Sequence, residues 1–140
     1  MKNILLNIFL IISLTSCTTN QERVIIYEGK TFEKNQELAN QGNMYAQNNL
    51  GFMYLNGQDV ERNYQKAFEW YKKSADQGFS NAQVQVGILY TIGRGTKIDK
   101  YKAYEYILKA LHQKNEKAPI MFEILCRKFP EVCIDTKLKF

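Results

Sequence analysis

The chain has 140 residues, 45% of them hydrophobic, and a formal charge of +5, enough length for a core if the fold is an elongated stack with local contacts. Its lysines are scattered rather than blocked together, which reads as a solvated helical face and argues against a nucleic-acid site. An acidic protein partner or anionic lipid remains compatible with the charge.

Residues 1–16 read as a lipoprotein signal peptide. Lys2 precedes an apolar run from Ile4 to Leu14, interrupted by Asn7, which suits a secretory h-region and falls short of the roughly 18 residues that span a bilayer. Leu14-Thr15-Ser16-Cys17 resembles the lipobox of bacterial lipoproteins. That chemistry needs a thiol because the diacylglyceryl group is attached as a thioether, and small residues before the Cys admit the signal peptidase. An ordinary signal peptide with a Cys near its cleavage site is the alternative. The resemblance implies palmitate-type acylation at Cys17 and a mature chain of 124 residues whose charge falls to +4 with the loss of Lys2. Several acyl chains would hold it stably at a membrane, at about 0.8 kcal/mol per buried methylene. Thr18 stands where Asp would signal retention, so the implied location is the outer membrane, periplasmic side. Residues 17–27 are expected to be the lipidated Cys and a polar tether.

From residue 28 the chain is organised by a period of 36. Residues 43–78 and 79–114 align so that Ala46, Gln47, Gly51, Tyr54 and Gly57 meet Ala82, Gln83, Gly87, Tyr90 and Gly93. The same offset pairs Lys66, Ala67, Glu69, Lys73 and Gln77 with Lys102, Ala103, Glu105, Lys109 and Gln113. Residues 28–42 hold the tail of an earlier unit, with Phe32, Ala39, Gln41 and Gly42 in register with Phe68, Ala75, Gln77 and Gly78. Ala46, Leu50, Met53 and Tyr54 form one apolar stripe, predicting a helix over about 43–55, stopped by Gly57. Gly51 costs that helix about 1 kcal/mol relative to Ala, so a neighbouring helix is expected to approach closely there. A second helix over about 64–77 carries Ala67, Tyr71, Ser74 and Ala75, flanked by Phe68 and Trp70, and ends at Gly78. Ala82, Val86, Leu89 and Tyr90, then Ala103, Tyr106, Ile107, Ala110 and Leu111, repeat this logic.

The pattern Ala46-Gln47-x-x-Leu50-Gly51-x-x-Tyr54-x-x-Gly57, followed by Lys66-Ala67-x-x-Trp70-Tyr71-x-x-Ser74-Ala75-x-Gln77-Gly78, resembles a Sel1-like repeat. The resemblance implies an all-α, TPR-like helix-turn-helix solenoid of two full repeats with a partial N-terminal unit and a C-terminal capping helix. Three positions depart from the pattern: Asp59 where the second Gly of Gly93-Arg94-Gly95 falls, Thr96 opposite Val60, and Lys114 opposite Gly78.

Residues 115–140 are expected to form the cap. Ala118-Pro119 reads as a helix start, Met121, Ile124 and Leu125 are amphipathically spaced, and Pro130 is expected to stop the helix before a short tail from Glu131 to Phe140. Cys126 and Cys133 are the pair left once Cys17 is lipidated, and an oxidising compartment favours a disulfide. On one unbroken helix they would lie too far apart, but Pro130 lets the chain turn back; two buried free thiols are the alternative. A cysteine-rich subgroup of Sel1-like proteins carries a cysteine pair in each repeat, and neither repeat here has one, which weakens any carry-over of penicillin-binding or β-lactamase-like activity.

No phosphate loop, metal-ligand cluster or nucleophile elbow occurs in the sequence, and His112, the one histidine, sits where a helix end would favour it. The reading is therefore not an enzyme, with no cofactor and no metal. Candidate protein-binding residues lie off the stripe of the first helices: Asn48, Asn49 and Phe52, their counterparts Val84, Gln85 and Ile88, and the adjacent Tyr45. The function expected is a monomeric protein-binding module held at the membrane by its lipid, with a toxin or envelope protein as partner. An immunity protein and an envelope scaffold fit these residues equally, and an enzyme of the cysteine-rich type is the third alternative.

Overall fold

The computed structural model describes residues 32–137, with side chains to Ile134. The expected signal peptide, Cys17, the tether and residues 28–31 lie outside the described residues. Seven helices and no strand are found among those described: α1 (Phe32–Asn40), α2 (Met44–Asn56), α3 (Tyr64–Asp76), α4 (Ser80–Ile92), α5 (Lys100–His112), α6 (Ala118–Lys128) and α7 (Pro130–Lys137). Each packs mainly on its neighbours in sequence, with α4 also meeting α6 and α5 meeting α7. None of the described helices is long and apolar enough to cross a membrane.

The caps repeat with the sequence. Asn43 accepts from the amides of Tyr45 and Ala46 at the start of α2, while Asn63 and Asp99 accept from Lys66 and Lys102 at the starts of α3 and α5. Gly57 and Gly93 end α2 and α4 in the left-handed conformation, φ 72° and 68°. Asp59 and Lys114, the two departures at glycine positions, keep that conformation at φ 56°. The turn geometry is thus common to both units even where a side chain must tolerate it.

Small residues set the crossings. Ala46, Ala67, Ala82 and Ala103 are wholly buried. A Cβ placed on Gly51 would stand 2.6 Å from Cγ of Tyr71, and one on Gly87 2.6 Å from Cγ1 of Ile107, so each glycine is the gap into which the paired helix fits. The core runs from Tyr71 and Ala75 through Val86, Leu89 and Tyr90 to Ile107 and Leu125. A second cluster gathers Ala39, Ala46, Leu50 and Met53.

Polar groups bind one unit to the next in a repeated ladder. Gln47 donates to the Ala39 carbonyl and accepts from Gln77; Gln83 donates to the Ala75 carbonyl and accepts from Gln113. Each amide satisfies a carbonyl at the end of the preceding helix, worth about 1 kcal/mol where formed.

The C-terminal capping helix is found where expected, and the segment after Pro130 differs. The period of 36 runs on, because Ala118 and Leu125 stand in register with Ala82 and Leu89 and are likewise buried, making α6 the first helix of a third unit. Asn115, in register with Asn43, accepts from the Lys117 amide and donates to Ser80 and Asn81; at the other end Lys128 donates to the Thr91 carbonyl. These bonds lay α6 along α4. Pro130 does not lead into a tail but opens α7, since its fixed φ and missing N–H suit a first helical position. Phe129, forced extended before it (φ −132°, ψ 73°), makes the turn. Cys126 stands where the earlier units have Tyr54 and Tyr90; it bridges to Cys133 on α7 with the Cα atoms 5.6 Å apart. The neighbouring Val132 is fully buried, and Glu131 pairs with Lys100 at 2.6 Å.

Candidate protein-binding surface

The off-stripe positions of α2 and α4 do not form one equivalent surface. On α2, Phe52 is 50% exposed, whereas Asn48 is half-buried. Asn49 is also half-buried and donates to Asn35 of α1 at 3.1 Å. Tyr45 is engaged edge-on with Phe79, ring centroids 5.1 Å apart, across the start of α4. On α4, Gln85 and Ile88 are half-buried.

Val84 is a correction: at 1% exposure it lies in a cluster with Ala110 and Ala118 and cannot touch a partner. Ile88 packs on the same cluster. The reason is α6, which covers this part of the second unit and carries Ala118. Ile92, not selected from the sequence, is 44% exposed one helical turn beyond Ile88. Its register with Asn56, a polar residue, concealed it.

The electrostatics of the stack centre on Asp76. It accepts from Lys72 and from the Tyr106 hydroxyl, each at 2.6 Å. Burial alone would raise its carboxyl, but the hydrogen bonds from Lys72 and Tyr106 outweigh this and hold it below the usual carboxylate range. Burial, reinforced by the bond to Asp76, pushes the Tyr106 phenol up to about 12. A phenol whose folded value exceeds its unfolded 10.0 stabilises the fold fully below that unfolded value, and the contribution is lost as pH rises towards about 12. The depressed Asp76 contributes above its unfolded value of about 4 and loses this as pH falls through the folded one. Tyr106→Phe is therefore expected to cost about 1 kcal/mol at neutral pH and to flatten the fall in melting temperature above about pH 10. Thermal melts across pH check this; parallel profiles for the two proteins would refute it.

Cys126 and Cys133 are joined, as described, on the side of the third unit. Among the described residues no group of three or more His, Cys, Asp or Glu side chains is placed to hold a metal. His112 is exposed at the end of α5, and Glu69 and Glu105 are exposed, accepting from Gln65 and Lys109 on their own helices.

Comparison with known proteins matches the fold. The Sel1 repeat family model matches residues 45–79 and 80–115. A crystal structure of a Sel1 repeat protein from Oxalobacter formigenes is 36% identical over 64% of this chain and 67% of its own, with a TM-score of 0.62. The crystal structure of c5321, a protective antigen present in uropathogenic Escherichia coli strains and displaying an SLR fold, is 28% identical with a TM-score of 0.54; the match covers 75% of this chain and 27% of that one. No curated protein matches the chain. With paired helices recurring every 36 residues, glycines at the crossings and the family pattern over both units, the chain belongs to the Sel1 repeat family, a scaffold of the protein-interaction type.

Proposed function

We propose that this protein is a non-catalytic binding module, anchored through acylated Cys17 at the periplasmic side of the outer membrane, that acts as an immunity protein against a secreted antibacterial toxin. The observation that carries the binding role is Phe52, a large aromatic side chain left half exposed on α2 although the stripe beside it is fully packed. Aromatic anchors of this kind supply much of the energy of protein recognition. Ile92, exposed on α4, adds a second apolar contact. The lipobox resemblance supports the anchor, and an anchor of this kind would put an inhibitor where toxins meet the envelope.

The test is capture from periplasmic extract with a tagged full chain, comparing wild type with Phe52→Ala. Since Phe52 is exposed, the variant should keep its melting temperature and lose partner affinity by about tenfold or more. The captured protein should be toxic when delivered to the periplasm of cells lacking this chain. A stoichiometric envelope partner with no toxicity would sink immunity in favour of a scaffold; equal capture by the variant would remove Phe52 from the interface.

A further inference from the structure

Gly95 brings two loops together, and with them two arginines. A Cβ on Gly95 would stand 2.5 Å from the Tyr64 carbonyl carbon, so the Gly93–Gly95 turn lies directly on the start of α3. Arg94 consequently reaches the Tyr64 ring, Cζ 4.8 Å from its centroid, and Arg62 approaches the same ring at 5.4 Å from the preceding loop. The two guanidinium carbons are thus within about 10 Å of one another. Lys66, over the Tyr54 ring at 5.3 Å, lines with Arg62, Asn63, Glu61 and Val60 an open cleft of about 290 Å³ against Tyr54.

The ion pairs among the described residues engage Lys34, Lys72, Lys100, Lys102 and Lys109. Among the described residues, none places a carboxylate in ion-pair range of Arg62, Lys66 or Arg94, although Glu61 lines the same cleft. Two planar guanidinium groups held by one ring, with an ammonium nearby, present fixed donors at low entropic cost. That chemistry suits carboxylates on an extended chain more than a single small anion, because the cations are spread along an open loop edge.

We propose that the Arg62–Tyr64–Arg94 cluster with Lys66 is the docking site for an acidic, Asp/Glu-rich segment of the protein partner. This deepens the protein-binding reading and rests on it.

The probe is a fluorescein-labelled oligoglutamate peptide, titrated with the detergent-solubilised full chain and followed by anisotropy. The wild type should bind, and Arg62→Gln with Arg94→Gln should weaken binding by about tenfold. Lys117→Gln with Arg127→Gln, which removes the same charge at and just before α6, should leave it within about twofold. Arg62→Lys with Arg94→Lys, which keeps the charge and loses the planar fork, should fall between the two, and melting curves confirm that each variant is folded. Equal weakening by the two glutamine pairs would overturn the site in favour of net charge. Arginine-dependent binding to phosphatidylglycerol vesicles that oligoglutamate does not compete would overturn it in favour of anionic lipid. Capture of the periplasmic partner unchanged in the arginine variant would refute this site and leave the protein-binding reading intact. Arginine-dependent peptide binding with no periplasmic partner at all would sustain the site and sink that reading.

Discussion

Gly95→Ala is expected to destabilise the fold by about 3 kcal/mol, lowering the melting temperature by more than about 10 °C. Two costs coincide at this position. Its φ of 74° is a conformation an L side chain adopts at about 1–2 kcal/mol, and the added Cβ would overlap the Tyr64 carbonyl group and stand 3.0 Å from the Gln65 amide nitrogen. Neither neighbour is a side-chain tip that could swing aside, because both are backbone in the first turn of α3. Gly78→Ala separates the two costs, since Gly78 has φ 95° with nothing within 4 Å of its Cβ position and should lose only about 1 kcal/mol. Thermal denaturation of both variants is the check. A Gly95→Ala protein as stable as Gly78→Ala would mean that the turn moves freely away from α3.

Gly51→Ala is expected to destabilise by about 2 kcal/mol despite placing the best helix former in a helix. Propensity favours the change by about 1 kcal/mol, whereas overpacking against a ring root costs about 3 kcal/mol, the upper end for a filled core. Overpacking wins because the Cβ would meet Cγ, Cδ1 and Cδ2 of Tyr71 at 2.6–2.8 Å, the root of a ring that is 1% exposed. Rotation about the ring axis does not move Cγ, so α3 itself must shift. At Gly87 the obstacles are Cγ1 and Cδ1 of Ile107, a buried β-branched side chain whose χ1 is fixed in its helix, and the Ala103 carbonyl oxygen at 3.3 Å, so Gly87→Ala should cost about as much. Urea titrations measure both. On a Tyr71→Leu background the Gly51→Ala cost should shrink, and strict additivity of the pair would refute the steric account.

The period of 36 made most of this fold legible. The predicted helices over 43–55 and 64–77 are seen at Met44–Asn56 and Tyr64–Asp76, and the expected close approach at Gly51 is the Tyr71 contact. What the pattern hid lies at the end of the array. The capping helix was legible from Ala118-Pro119 and is seen at Ala118–Lys128, but its register with α4 through Ala118 and Leu125 was not drawn, and a tail was expected where α7 forms. Pro130 stops α6 at Lys128 as expected, and its chemistry also lets it start α7, which the pattern did not announce. Val84 failed for a different reason: α4 leaves it off the stripe, just as α2 leaves its counterpart Asn48. Ala110 on the next helix meets it, but its burial is completed by Ala118 on α6, in the following unit. A local pattern reports the partner helix of the same unit; it is silent about the next unit. The pairing of Arg94 with Arg62 was invisible for the same reason, since only the Gly95 contact brings its loop to the tyrosine beside Arg62.

The glutamine ladder also bears on how such a chain changes length over generations. Each rung uses an acceptor on the preceding unit and a donor one helix later, so a copy of residues 79–114 inserted in frame would find its carbonyl and its amide already waiting. An insertion within a helix that shifts one side of a rung out of register would separate the paired amides. Tandem duplication by whole periods is therefore the inexpensive route for this architecture, and the repeat count can drift while the chemistry at each seam stays the same.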